Sequence, residues 1–188
     1  DRQKQMYVGR IAQENKQPGT VAQKAFLKAL YGADHPYGRP QTGSGTEASI
    51  NAITRDDLVA FYQTNYTPAN ATIVISGNIT MAEAKAALDK AFKNWTSTGA
   101  PAVANIPEAA PIAKTQVVIV DKPGAAQSAI MIGHAGIKRS DPDYMPIQVM
   151  MNVLGSQFTS RINMNLREDK GYTYGAFANF SNRRGTGP

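Results

Sequence analysis

Residues 166–177 read LREDKGYTYGAF. Arg167, Glu168 and Asp169 close what the pattern predicts as a helix, and Gly171 stops it. Tyr172 and Tyr174 then open an alternating stretch, YTYGAFANFSN, in which Tyr174, Ala176, Ala178 and Phe180 share one face of a predicted strand. A helix that hands over to a strand through one glycine predicts an α+β fold. It also places an arginine and a tyrosine on either side of the same bend.

Outward from this stretch, SRINMNLREDKG is the predicted helix itself. Before it, SDPDYMPIQVMMNVLG predicts another helix, with Asp141 as N-cap, Pro142 at the first helical position and Gly155 beyond the end. KTQVVIVDK and SAIMIGHAG predict two strands separated by PGAAQ. Further upstream, TSTGAPAVANIPEAAPIA is too proline-rich for a helix and too irregular for a strand, so it predicts an interdomain linker.

The N-terminal half predicts a helix broken near Pro18 and Gly19 and resumed from Thr20, followed by the polar loop HPYGRPQTGSGTEAS. Two capping boxes are expected, Thr54 with Asp57 and Thr80 with Glu83. Leu58, Phe61 and Tyr62 supply a stripe for burial behind the first box. Ala84, Ala87, Leu88, Ala91 and Phe92 supply one behind the second. Between them NATIVISGNI predicts a strand that ends at Gly77. The expected organisation is two partial domains. Residues 1–96 form the C-terminal part of a first α+β domain, 97–113 the Pro/Ala-rich linker, and 114–188 the N-terminal part of a second, incomplete one. In each, helices pack on one face of a mainly antiparallel sheet.

Composition narrows the function. The chain has 188 residues, 42% hydrophobic and 18% charged, and no apolar run approaches the roughly 20 residues of a membrane span. The net charge of +6 is scattered, with Asn182-Arg183-Arg184 its densest group, and no nucleic-acid-binding motif accompanies it. The absence of cysteine excludes disulfides, thiolate nucleophiles and Cys-ligated metals, and points weakly to a periplasmic setting. TGSGTEAS lacks the Gly-Lys-Ser/Thr ending of a phosphate loop, and no nucleophile elbow accompanies either histidine.

Two blocks carry a resemblance. LYGADHPYGRPQTGSGTEASINAITRDDLVAFYQTNYTPANATIVISGNIT and GIKRSDPDYMPIQVMMNVLGSQFTSRINMNLREDKGYTYGAF occur in the order, and with the proline-rich connector, of insulinase-like and mitochondrial-processing-peptidase-like zinc metallopeptidases. The resemblance implies a fold of the processing-peptidase type and an inverted zinc motif, H-x-x-E-H, completed by a glutamate on a further helix. This chain has no H-x-x-E-H, and its histidines are His35 in a loop and His134 at a predicted strand end. Counting from the QPG and HPYG landmarks, the family's third ligand falls at or near Arg10, with Glu14 one turn later as the alternative. A guanidinium cannot deprotonate to ligate zinc. No catalytic residue and no metal ligand is therefore expected here, and zinc is expected in a catalytic module or a partner.

The same resemblance gives Arg167 and Tyr174 a role. It implies that an Arg and a Tyr at this spacing lie across a chamber from the zinc and contact the backbone of a bound peptide. Independently, a guanidinium fork and a phenol are suited to an oxygen gaining negative charge, and such a donor is worth about 3 kcal/mol in a dry site. The plain reading is that Arg167 pairs with Glu168 or Asp169 at the surface and that Tyr174 is an ordinary inward strand aromatic. The expected function is a non-catalytic module that encloses a chamber and binds peptide or unfolded polypeptide for a zinc-bearing module, in the same polypeptide or a partner subunit. Two alternatives are a structural or assembly subunit without peptidase role, and an excerpt of an active protease whose H-x-x-E-H lies upstream.

Overall fold

A computed structural model describes residues 1–96 and 104–188. Residues 97–103 of the expected linker lie outside the described residues. The chain divides into two compact units: unit 1 is Asp1–Glu47 with Ile106–Pro188, and unit 2 is Ala48–Asn105.

In unit 1, α1 (Arg2–Glu14) and α2 (Pro18–Tyr31) bear out the predicted break, with Pro18 serving as the first residue of α2, where its missing N–H costs nothing. Leu27, Leu30 and Tyr31 of α2 form the core of the unit, joined by Phe26, Tyr37, Ala109 and Ala135. The core is stitched by polar contacts from distant parts of the chain. The Tyr31 hydroxyl donates to Thr186 O at 2.9 Å, and the Tyr37 hydroxyl accepts from Gly185 N–H at 3.1 Å. His35 Nδ1 accepts from Tyr37 N–H at 3.0 Å, capping the 3₁₀ turn Pro36–Gly38, while its Nε2 donates to Pro107 O at 3.0 Å.

In unit 2, α3 (Glu47–Ala52, whose first residue belongs to unit 1) is followed by α4 (Arg55–Asn65) and α5 (Met81–Ala91). Both predicted capping boxes are present in full. Thr54 Oγ1 accepts from Asp57 N–H at 3.1 Å while the Asp57 carboxylate accepts from Thr54 N–H at 2.8 Å; Thr80 and Glu83 repeat the pattern at 3.3 and 2.9 Å. The stripe expected to be buried behind the first box is exposed: Leu58, Phe61 and Tyr62 all face solvent.

The expected sheet is the main correction. Among the described residues there are helices, turns and irregular segments, and no β-strand, so the chain is not an α+β fold with an antiparallel sheet. The runs expected to be strands adopt no regular secondary structure, and none finds a ladder partner among the described residues. Val74, Ile119 and Ile132 are 88%, 88% and 93% exposed. Val, Ile and Thr favour extended backbone, yet a strand exists only through pairing, and no local signal provides the partner.

Back in unit 1, α6 (Tyr144–Met151) starts after Asp143, two residues later than expected, and Asp141 instead closes a turn by accepting Asp143 N–H at 2.9 Å. The helix widens into a π turn over Asn152–Ser156, which contains Gly155. α7 (Arg161–Asn163) continues in the same way as a π turn over Met164–Asp169, so Arg167 lies in a widened turn.

Candidate functional site

The bend between Arg167 and Tyr174 is built locally. Gly171 adopts φ +64°, a region that favours glycine, and Gly171 N–H donates to Arg167 O at 3.1 Å. Tyr172 N–H donates to Leu166 O at 2.9 Å. These bonds satisfy carbonyls that the helix end would otherwise leave open.

What fixes the segment after the bend is a residue that sequence reasoning passed over. Asn163 is fully buried; its Nδ2 donates to Phe158 O at 2.7 Å and its Oδ1 accepts from Ala176 N–H at 3.0 Å. Two residues further on, Ala178 N–H donates to Gly155 O at 3.0 Å and Ser156 Oγ donates to Ala178 O at 3.1 Å. The chain beyond Gly171 is thus fastened at Ala176 to the end of α7 and at Ala178 to the widened turn over Asn152–Ser156. The one sign of Asn163 in the sequence is its place one helical turn before Arg167.

Arg167 stands over the Phe158 ring, with its guanidinium carbon 4.6 Å from the centroid, and its Nε pairs with Glu168 Oε1 at 3.1 Å. Its two terminal nitrogens have no partner among the described residues. Tyr174 is 86% exposed, and its hydroxyl likewise has no partner among them. No hydrogen bond joins Arg167 to Tyr174. Part of the plain reading holds for Arg167, which pairs with Glu168 as a neighbour would; the expectation of an inward-facing aromatic fails for Tyr174.

The two histidines and Glu14 each have partners of their own. Both nitrogens of His35 are used, and His134 Nδ1 lies 2.8 Å from Ala135 O. Glu14 is enclosed, with its side chain 11% exposed. It accepts from Ser44 Oγ at 2.6 Å, from Thr42 Oγ1 at 3.1 Å, from Lys24 Nζ at 3.1 Å and from Arg10 Nε at 3.3 Å. The Ser44 hydrogen bond, reinforced by Lys24 and Thr42, outweighs the opposing effect of burial and lowers the carboxyl to about 2. Among the described residues, no group of three or more His, Cys, Asp or Glu is placed to hold a metal ion.

Comparison with known proteins settles the family. The peptidase M16 inactive domain matches residues 52–188. The chain belongs to that family. This is the insulinase and processing-peptidase relationship that the two sequence blocks imply. An uncharacterized zinc protease of Mycobacterium leprae is 28% identical over 168 residues, covering 89% of this chain and 37% of that protein. A probable mitochondrial-processing peptidase subunit beta of Arabidopsis thaliana is 31% identical over 124 residues, 64% of this chain and 22% of that protein. Among solved structures, the peptidase M16 inactive domain from Pseudomonas fluorescens superposes with a TM-score of 0.75 at 26% identity, over 99% of this chain and 44% of that one. The chain therefore spans well under half the length of these relatives. It is an inactive M16 domain within a zinc-protease family, and zinc belongs to that family through the relatives that carry the name.

Proposed function

We propose that this module binds the backbone of a peptide substrate through Arg167 and Tyr174, for a zinc-bearing module in the same polypeptide or a partner subunit. The observation that carries the reading is the state of the two side chains within the matched family region. The terminal nitrogens of Arg167 and the hydroxyl of Tyr174 are unspent donors, presented from the two sides of the Gly171 bend. The Phe158 ring lies under the guanidinium, and the Glu168 carboxylate occupies only Nε. A peptide carbonyl offers two lone pairs to such donors, and contact with the main chain alone favours breadth over side-chain specificity. Water-splitting chemistry is left to the zinc-bearing module, whose metal lowers the pKa of its bound water when present.

The test uses the complete zinc-bearing assembly and an unstructured peptide. Arg167→Ala and Tyr174→Phe are each expected to lower kcat/KM about tenfold or more, the loss of one charge-stabilising donor, with unchanged unfolding temperature. Wild-type turnover in both variants rejects the reading.

A further inference from the structure

The relatives' names imply zinc, and the enclosed carboxylate on α1 is the acidic group best placed by burial to be a ligand, yet its surroundings do not fit one. A zinc-bound carboxylate needs a free lone pair directed at the ion and further ligands converging on the same point. Around Glu14 the converging groups are donors, two of them cationic. Lys24 Nζ lies 3.1 Å from Oε2 and Arg10 Nε 3.3 Å from Oε1. Ser44 and Thr42 use the remaining acceptor capacity. A divalent ion would have to displace these bonds and sit against two positive charges.

We infer that Arg10, Glu14 and Lys24, with Thr42 and Ser44, form an ionic clasp that fastens the 42–44 loop to α1 and α2 and closes this carboxylate to divalent metal. The clasp joins three separate stretches of unit 1. Lys24 also donates to Asn15 Oδ1 at 3.1 Å, securing the α1–α2 connection. Arg10 Nη2 donates to Thr42 O at 3.4 Å, and Ser44 N–H to Thr42 Oγ1 at 3.4 Å. Ser44 is completely buried, so its hydroxyl has no water to fall back on once Glu14 is gone. A carboxylate that accepts from every side is a scaffold element, in contrast to the open valence a metal site requires.

The experiment takes the full chain, dialysed against zinc and then against buffer, with metal content by elemental analysis, thermal unfolding and amide exchange. Wild type is expected to retain well under one equivalent of zinc and to unfold at the same temperature with or without it. Glu14→Gln is expected to lower the unfolding temperature by several degrees and to speed amide exchange around residues 42–46 about tenfold, as local opening becomes easier. Ser44→Ala removes a single donor and shifts both readouts in the same direction by less, which keeps the test readable if Glu14→Gln fails to fold. One equivalent of zinc lost on Glu14→Gln or, in the folded Ser44→Ala chain, wild-type unfolding and exchange overturns the inference.

Discussion

Asn163 accepts the backbone N–H of Ala176 at 3.0 Å, thirteen residues along the chain and across the Gly171 bend. This one bond, with its companion to Phe158 O, couples the end of a helix to the segment that carries Tyr174. Replacing Asn163 by Ala leaves the Phe158 carbonyl and the Ala176 N–H, both in part-buried hydrogen bonds, without their partner, at about 1–2 kcal/mol each. The expected result is a destabilisation of about 2–4 kcal/mol in denaturant unfolding. A loss within the ±0.5 kcal/mol typical of surface changes would show that the bond fixes nothing.

Gly155 is the second anchor. A Cβ at this position would stand 2.6 Å from Ala178 Cβ and 2.8 Å from Ala178 N. Gly155→Ala is therefore expected to push the 176–178 segment off the widened turn and cost about 1–3 kcal/mol. Because Ala178 N–H donates to Gly155 O, exchange of that amide is the direct readout, and it should accelerate.

Glu14 gives a signed pH dependence. Its carboxyl lies at about 2 in the folded chain against an ordinary 4.5, so on acidification the unfolded chain takes up the proton first. The stability contributed by the ionised group is fully present above about pH 4.5 and is lost as pH falls toward 2. Wild type should exceed Glu14→Gln in unfolding free energy by a constant margin near neutrality, and the two curves should converge through that window. Curves that run parallel from pH 7 to pH 2 contradict the assignment.

These comparisons mark where the sequence could be read. The capping boxes Thr54–Asp57 and Thr80–Glu83 need only three residues of spacing, and both formed as expected. The α1–α2 break is equally local, since Pro18 carries its own geometry. The expected strands fail because pairing is a long-range event: Val74 and Ile119 have the right side chains and, among the described residues, no strand to pair with. The Leu58, Phe61 and Tyr62 stripe shows the same limit, since period reveals a face and says nothing of its cover. Of the candidate site, Arg167, Gly171 and Tyr174 were visible as a local motif. Asn163 and the Glu14–Ser44 bond were not, because each joins residues through contacts that no spacing encodes.

The central claim is that Arg167 and Tyr174 grip a peptide backbone, and it is tested most directly where hydrolysis cannot intervene. The complete assembly, stripped of zinc by a chelator, is titrated against a fluorescent unstructured peptide and the anisotropy followed. The predicted result is a Kd raised about tenfold by Arg167→Ala, near 1.4 kcal/mol, and raised by a smaller factor by Tyr174→Phe. Identical binding curves for wild type and both variants would contradict it.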